Sequence, residues 1–211
     1  MSKHLKIANF DPSGPGLRNG HFIGLPFDEE DASIVLVTVP WDVTVSYADG
    51  TATGAQNILE ASSQLASAYI DFLENGGAPA SDPQMACIVE EINSAGLALK
   101  NWVFDETKAQ LGKGKMVGIV GGDHSVPLGY LEALAQHCGP FGVLQIDAHQ
   151  DLRRAYEGFT YSHASIFYNA LKIKEVMKLV QVGIRDYCEE ETEFVAKSEG
   201  KVKVWYDQAI R

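Results

Sequence analysis

Five short apolar runs, rich in β-branched residues, alternate along this chain with segments of helical periodicity, and that alternation constrains the fold more than any other feature. The runs are SIVLVTV (33–39), KMVGIV (115–120), FGVLQI (141–146), LVQVGI (179–184) and VKVWY (202–206). Without a regular polar alternate face, each reads as a buried strand. Between them the spacing predicts helices: one from Gly54 to the Asn75-Gly76-Gly77 stop with Thr53 as its cap, one over about Pro83 to Leu111 that Gly96 argues against as a single unbroken helix, and one from Val126 to His137. In the last, Ser125 is the expected cap and Pro127 sits in the first turn. Two more cover about Ser162 to Lys172 and Cys188 to Ser198. Strands separated by helices imply βαβ units: an α/β fold with three α-β-α layers and a mostly parallel sheet covered on both faces. Residues 1–32 read as an irregular lead-in and 33–211 as α/β domain.

In such a sheet a ligand binds outside the carboxyl ends of the strands. The residues at those ends are Pro40-Trp41-Asp42, Gly121-Gly122-Asp123-His124, Asp147-Ala148-His149-Gln150-Asp151, Arg185-Asp186 and Asp207. The ionisable groups therefore gather on one rim.

Charge narrows the partners. Lys and Arg total 17 against 28 Asp and Glu, a formal net charge of −11 over 211 residues, with no basic run. Nucleic acid, which needs a positive footprint, is disfavoured, and a small cationic substrate is favoured. No apolar run reaches the roughly 18 residues of a membrane span, and the first residues lack a signal-peptide core, so neither a membrane nor secretion is expected and the expected address is cytoplasmic. Cys87, Cys138 and Cys188 are odd in number, widely spaced and outside any C-x-x-C pattern. They read as free thiols of a reducing compartment.

The densest chemistry is in LQIDAHQDLR, where Asp147, His149 and Asp151 stand at i, i+2 and i+4. If the chain leaves its strand extended, a period of two sets the three side chains on one side. Groups so crowded need water or a cation to compensate them; the alternative is a solvated loop. The preceding strand ends in GGDHS. There Gly121 and Gly122 allow a tight turn and Ser125 starts a helix, which leaves His124 without a structural task. Neighbouring strand ends would bring His124 to the Asp147 group. Two imidazoles and two carboxylates without a thiolate suit a borderline-to-hard divalent ion such as Mn²⁺. The glycines at 118, 121 and 122 do not make a G-x-G-x-x-G dinucleotide fingerprint.

VGIVGGDHSVPLG, QIDAHQDLR and YEGFTYSHAS together resemble the ureohydrolases, the arginase and agmatinase family. VPWDVTVSYADGTATGAQNILEAS and VQVGIRDYCEEE extend the likeness over most of the chain from about Ile34. The DLR-x-x-YEG-x-x-YSHAS continuation is most similar to agmatinase-type members. The resemblance implies a binuclear manganese hydrolase of a small cationic guanidino substrate, agmatine giving putrescine and urea, with arginase, guanidinobutyrase or formiminoglutamase activity as alternatives. By the same resemblance His124 and Asp151 ligate one ion, His149 the other, Asp147 bridges both, and His163 shuttles a proton. Trimers or hexamers are implied as well. Arg153 either pairs with a rim carboxylate or meets substrate; Glu157, Asp186 and Asp207 read as rim or structural charges. The family's S-x-D-x-D-x-x-D-P motif and its later glutamate do not occur in these 211 residues. Three explanations stand open: a portion of a longer single domain, a shortened non-catalytic binding or regulatory member, or ligands donated by a partner.

Overall fold

In the computed structural model the described residues are 3–8, 20–22, 25–44, 50–62, 83–156 and 158–210. They form α1 (Lys3–Ala8), β1 (Ile34–Val39), a 3₁₀ turn (Thr51–Thr53), α2 (Gly54–Ser62), α3 (Pro83–Gly112), β2 (Met116–Gly121), α4 (Pro127–Cys138) and β3 (Phe141–Ile146). A second 3₁₀ turn (His163–Ser165), α5 (Ile166–Ala170), β4 (Val176–Ile184), α6 (Glu189–Lys197), β5 (Val202–Tyr206) and α7 (Asp207–Ile210) complete them. All three strand ladders are parallel, as the helix-strand alternation requires. β1 pairs with β2 from Ile34 opposite Met116 to Val39 opposite Gly121, and β3, β4 and β5 pair in that order.

One expectation about neighbours changes. Among the described ladders β2 bonds only to β1 and β3 only to β4, so the strands preceding His124 and Asp147 belong to different sheets. Helices join the two. α3 and α4 pack on the β1–β2 sheet through Val103, Val39 and Val126, and α4 turns Leu128 and Leu131 toward Ile166 and Phe167 of α5 and Leu179 and Val202 of the other sheet. Full burial of each leucine contributes about 1.5–3 kcal/mol. Tyr130 of α4 borders all three apolar clusters and donates its hydroxyl to the Val117 carbonyl, 3.1 Å away. On the opposite face of β1–β2, Ala55 and Ile58 of α2 line a cavity with Ile34, Leu36 and Thr38, which gives that sheet a helix on each side.

Three local readings are corrected. α3 runs unbroken through Gly96, because an added Cβ there would lie 3.0 Å from Cβ of Tyr161: the glycine makes room for packing rather than ending the helix. Ser125 is not the cap of α4. The cap position is Val126, with Pro127 in the first turn, while Ser125 donates both its N–H and its hydroxyl to Asp123 Oδ1. The segment from Ser162 opens as a 3₁₀ turn and its α-helix ends at Ala170, short of the expected Lys172. The lead-in contains α1, whose Lys6 pairs with Asp28 at 2.6 Å and also with Asp31. The expected continuation of α2 to Asn75, and Glu157, lie outside the described residues. No helix among the described residues is long and apolar enough to cross a membrane.

Candidate metal centre

The turn after β2 is built on close backbone approach. Gly122 donates its N–H to the Val39 carbonyl at 2.8 Å and Asp123 to the Trp41 carbonyl at 2.6 Å. A Cβ on Gly122 would come within 1.7 Å of the Trp41 oxygen, so only glycine fits. Asp123 is buried beneath the turn: Oδ1 accepts from Ser125, and Oδ2 accepts the Thr44 hydroxyl at 2.8 Å. With Asp123 committed to the scaffold, the next residue, His124, faces the cavity.

The turn after β3 does not stay extended. The chain bends at Asp147 and Ala148, where Asp147 Oδ1 accepts the His149 N–H at 3.0 Å, and Asp151 takes the left-handed backbone conformation, φ 53°, so the period-two arrangement expected for residues 147, 149 and 151 is broken. Its backbone is pinned from several sides. Asp147 N–H bonds the Val182 carbonyl, the Ala148 carbonyl accepts from Arg185 and Asp186, the Asp151 carbonyl accepts from Phe167, and Arg153 N–H bonds Ala164. Asp147 and Asp151 still converge, and they meet His124. Its Nδ1 lies 2.7 Å from Asp151 Oδ2 and 3.1 Å from Asp147 Oδ2, and the three residues offer ligand atoms all within 4.8 Å of one another.

His149 stands apart from this group. Its side chain is 58% exposed, with Nδ1 3.5 Å from Asp147 Oδ1 and Nε2 3.5 Å from Asp186 Oδ2. Asp147 thus turns one oxygen toward each histidine. Together these residues, with Thr51, Arg153, Tyr156, His163, Tyr187 and Glu191, line a cavity of about 560 Å³ at the carboxyl ends of the strands. His163 opens the second 3₁₀ turn, its backbone N–H 3.3 Å from Thr44 Oγ1 and its ring 5.5 Å from that of Tyr156. The Arg153 guanidinium lies over the same tyrosine, 5.3 Å from the ring centre. Asp186 is on the cavity wall; Asp207 opens α7 and is not.

Burial alone would lower the His124 pKa, but hydrogen bonds to Asp147 and Asp151 raise it to about 9. Asp147 is the converse. Desolvation would raise it, whereas the His124 hydrogen bond and the His149 N–H hold it well below the usual carboxylate range. An imidazole between two carboxylates is the donor chemistry of a borderline-to-hard divalent ion, and a proton on His124 balances the same charge when no ion does. The residues present fit such an ion.

Sequence reading missed several residues that shape this site. Gln145 and Gln181 are buried polar residues inside apolar runs, which was itself a signal. Glu191 completes a capping box with Cys188, a cysteine in the place of the usual serine or threonine, so the pattern went unread. Asp123 and Thr44, 79 residues apart, left no local signal.

A family model described as arginase family matches residues 32–211. N(1)-aminopropylagmatine ureohydrolase of Synechocystis is 33% identical over 172 residues, covering 78% of this chain and 55% of the relative. The protein of the same name in Thermus thermophilus is 37% identical over 164 residues, covering 74% and 52%. The chain thus spans about half the length of these curated relatives. Among solved structures, arginase from Medicago truncatula superposes with a TM-score of 0.66 at 27% identity, covering 85% of this chain and 58% of that one. The agmatine ureohydrolase of Thermoplasma volcanium gives 0.64 at 24% identity, covering 99% and 66%, a likeness of fold.

Proposed function

The chain belongs to the arginase family, and from that membership we propose that it acts as a metal-dependent hydrolase of a guanidino compound, releasing urea. The observation that carries this reading is the convergence of His124, Asp147 and Asp151 in a cavity at the strand ends. In this reading His124 and Asp151 would hold one Mn²⁺, His149 would hold the second, and Asp147, with an oxygen toward each histidine, would serve both. When bound, two such ions supply a water-derived nucleophile near neutral pH and stabilise charge developing at the reacting carbon.

The chain's own residues do the rest. Asp186, a carboxylate of the cavity wall outside the ion ligands, draws in a guanidinium and holds it by charge-assisted hydrogen bonds. Addition of water at the guanidinium carbon and cleavage of its bond to the alkylated nitrogen leave an amine that needs a proton. His163, on the cavity wall beside Tyr156, delivers that proton as general acid. Agmatine, giving putrescine, is the substrate favoured by the resemblance of the DLR-x-x-YEG-x-x-YSHAS stretch to agmatinase-type members. The names of the Synechocystis and Thermus relatives favour a second reading, N(1)-aminopropylagmatine. Homo-oligomeric assembly and a cytoplasmic address go with either.

The test is urea release from agmatine, N(1)-aminopropylagmatine and arginine after loading with Mn²⁺, with bound metal counted. His163→Ala should lower the rate by about 10²–10⁴-fold at unchanged metal content, whereas His149→Ala should lower both. Equal metal loss in the two variants would contradict the assigned roles. Urea from none of the substrates would overturn the reading and leave the non-catalytic binding member.

A further inference from the structure

Gln145 and Gln181 sit in the middle of otherwise apolar strands and face each other directly in the β3–β4 register. Both are buried, at 4% and 0% exposure. Gln181 Nε2 donates to Gln145 Oε1 and to the Gln150 carbonyl, each at 2.6 Å, and Gln145 Nε2 donates to the His149 carbonyl at 2.9 Å. Backbone carbonyls only accept, so the two ends fix the orientation of both amides and the bonds run one way, from β4 through β3 into the turn. Glu191, at 3% exposure, reaches the same turn from α6. Its Oε1 accepts the Leu152 N–H and its Oε2 the Cys188 N–H, both at 2.9 Å.

Burying polar side chains costs free energy unless they are hydrogen-bonded. Here three of them come from three elements, and each bonds a backbone atom within residues 149–152. Those atoms lie between the two carboxylates that meet His124, or directly beside Asp151. The turn also carries the left-handed Asp151, which an L-residue adopts at a cost and only where its surroundings hold it.

We propose that Gln145, Gln181 and Glu191 are positioning residues, a buried clamp that sets the 147–152 turn, and with it the Asp147 and Asp151 carboxylates, whether or not an ion is bound. The clamp itself is independent of the function proposed above. Its effect on ion affinity rests on that reading.

Two measurements on the full chain separate the parts. Hydrogen exchange of the metal-free chain should find residues 147–153 protected, and Gln181→Leu should speed exchange there by at least about tenfold while α4 and β5 keep their rates. Mn²⁺ titration should find Gln181→Leu weaker by about 10–100-fold, the usual range for residues that hold a ligand from behind. The double variant Gln145→Leu/Gln181→Leu removes the mutually bonded amides together. It should stay near Gln181→Leu in melting temperature and bind Mn²⁺ no more tightly, since the His149 and Gln150 carbonyls then both lack donors. Glu191→Gln, which keeps the shape and an acceptor, should lie nearer the wild type than Glu191→Ala, and it serves if the leucine variants do not fold. Unchanged exchange in the turn of a folded clamp variant, or affinity that recovers with melting temperature, overturns the clamp. A wild type that binds no Mn²⁺ yet loses turn protection in the variants upholds the clamp and removes the ion-binding reading instead.

Discussion

At the scale of single residues, the placement of His124 between Asp147 and Asp151 gives the metal-free chain a defined pH response. His124 has a folded-state pKa near 9 against an ordinary 6.5. The stabilisation it brings is therefore complete below about pH 6.5 and lost as pH rises through 9. Asp147, held below its ordinary 3.8, reports the same interaction from the acid side: its contribution is present above that value and is lost on further acidification. The melting temperature of the chelator-treated chain should accordingly fall between about pH 6.5 and 9, and His124→Gln should flatten that slope. A wild-type melting temperature constant across this window would contradict the pairing. Of the four residues expected to ligate ions, three could be brought together on sequence grounds alone, because strand-end placement does not depend on side-chain detail. His149 was harder to place: the chain already bends at Asp147 and Ala148, where Asp147 Oδ1 accepts the His149 N–H, and no spacing rule reports that turn.

At the scale of elements, α4 crosses α3 at close range through Gly129. A Cβ on Gly129 would lie 2.1 Å from the Lys100 carbonyl oxygen and 2.8 Å from the Phe104 nitrogen, both backbone atoms. Alanine is the better helix former by about 1 kcal/mol. Overpacking against a rigid helix costs about 1–3 kcal/mol, so Gly129→Ala should destabilise the chain, seen as a lower urea midpoint at unchanged slope. A raised midpoint would mean that the helices part easily. The elements themselves were largely readable. β5 has the bounds the sequence predicts, and Pro127 marks the first turn of α4. Gly96 and Ser125 misled for one reason: each answers to a partner distant in sequence or to a neighbouring side chain, Tyr161 and Asp123, rather than to helix propensity.

At the scale of the whole molecule, the three-stranded sheet has two unlike faces. One carries the apolar cluster under α4 and α5. The other aligns Ile146, Val182 and Trp205 in one row and Leu144 and Val180 in the next, with Leu144 64%, Ile146 79% and Trp205 43% exposed. Contiguous apolar surface of this kind promotes association. The 211-residue chain should bind a hydrophobic dye and self-associate at micromolar concentration by light scattering, and Leu144→Lys should reduce both. A monomer that binds no dye would contradict this. Parallel topology was legible from strand composition; the division into two sheets was not, because strand order depends on which edges pair, and apolar runs of similar composition do not encode it. That division bears on the centre itself. His124 hangs from one hydrogen-bonded sheet and the two carboxylates from the other, so whatever occupies the space between them, proton or cation, acts as a rivet across a seam. Occupancy there and the stiffness of the joint between the halves become a single thermodynamic variable.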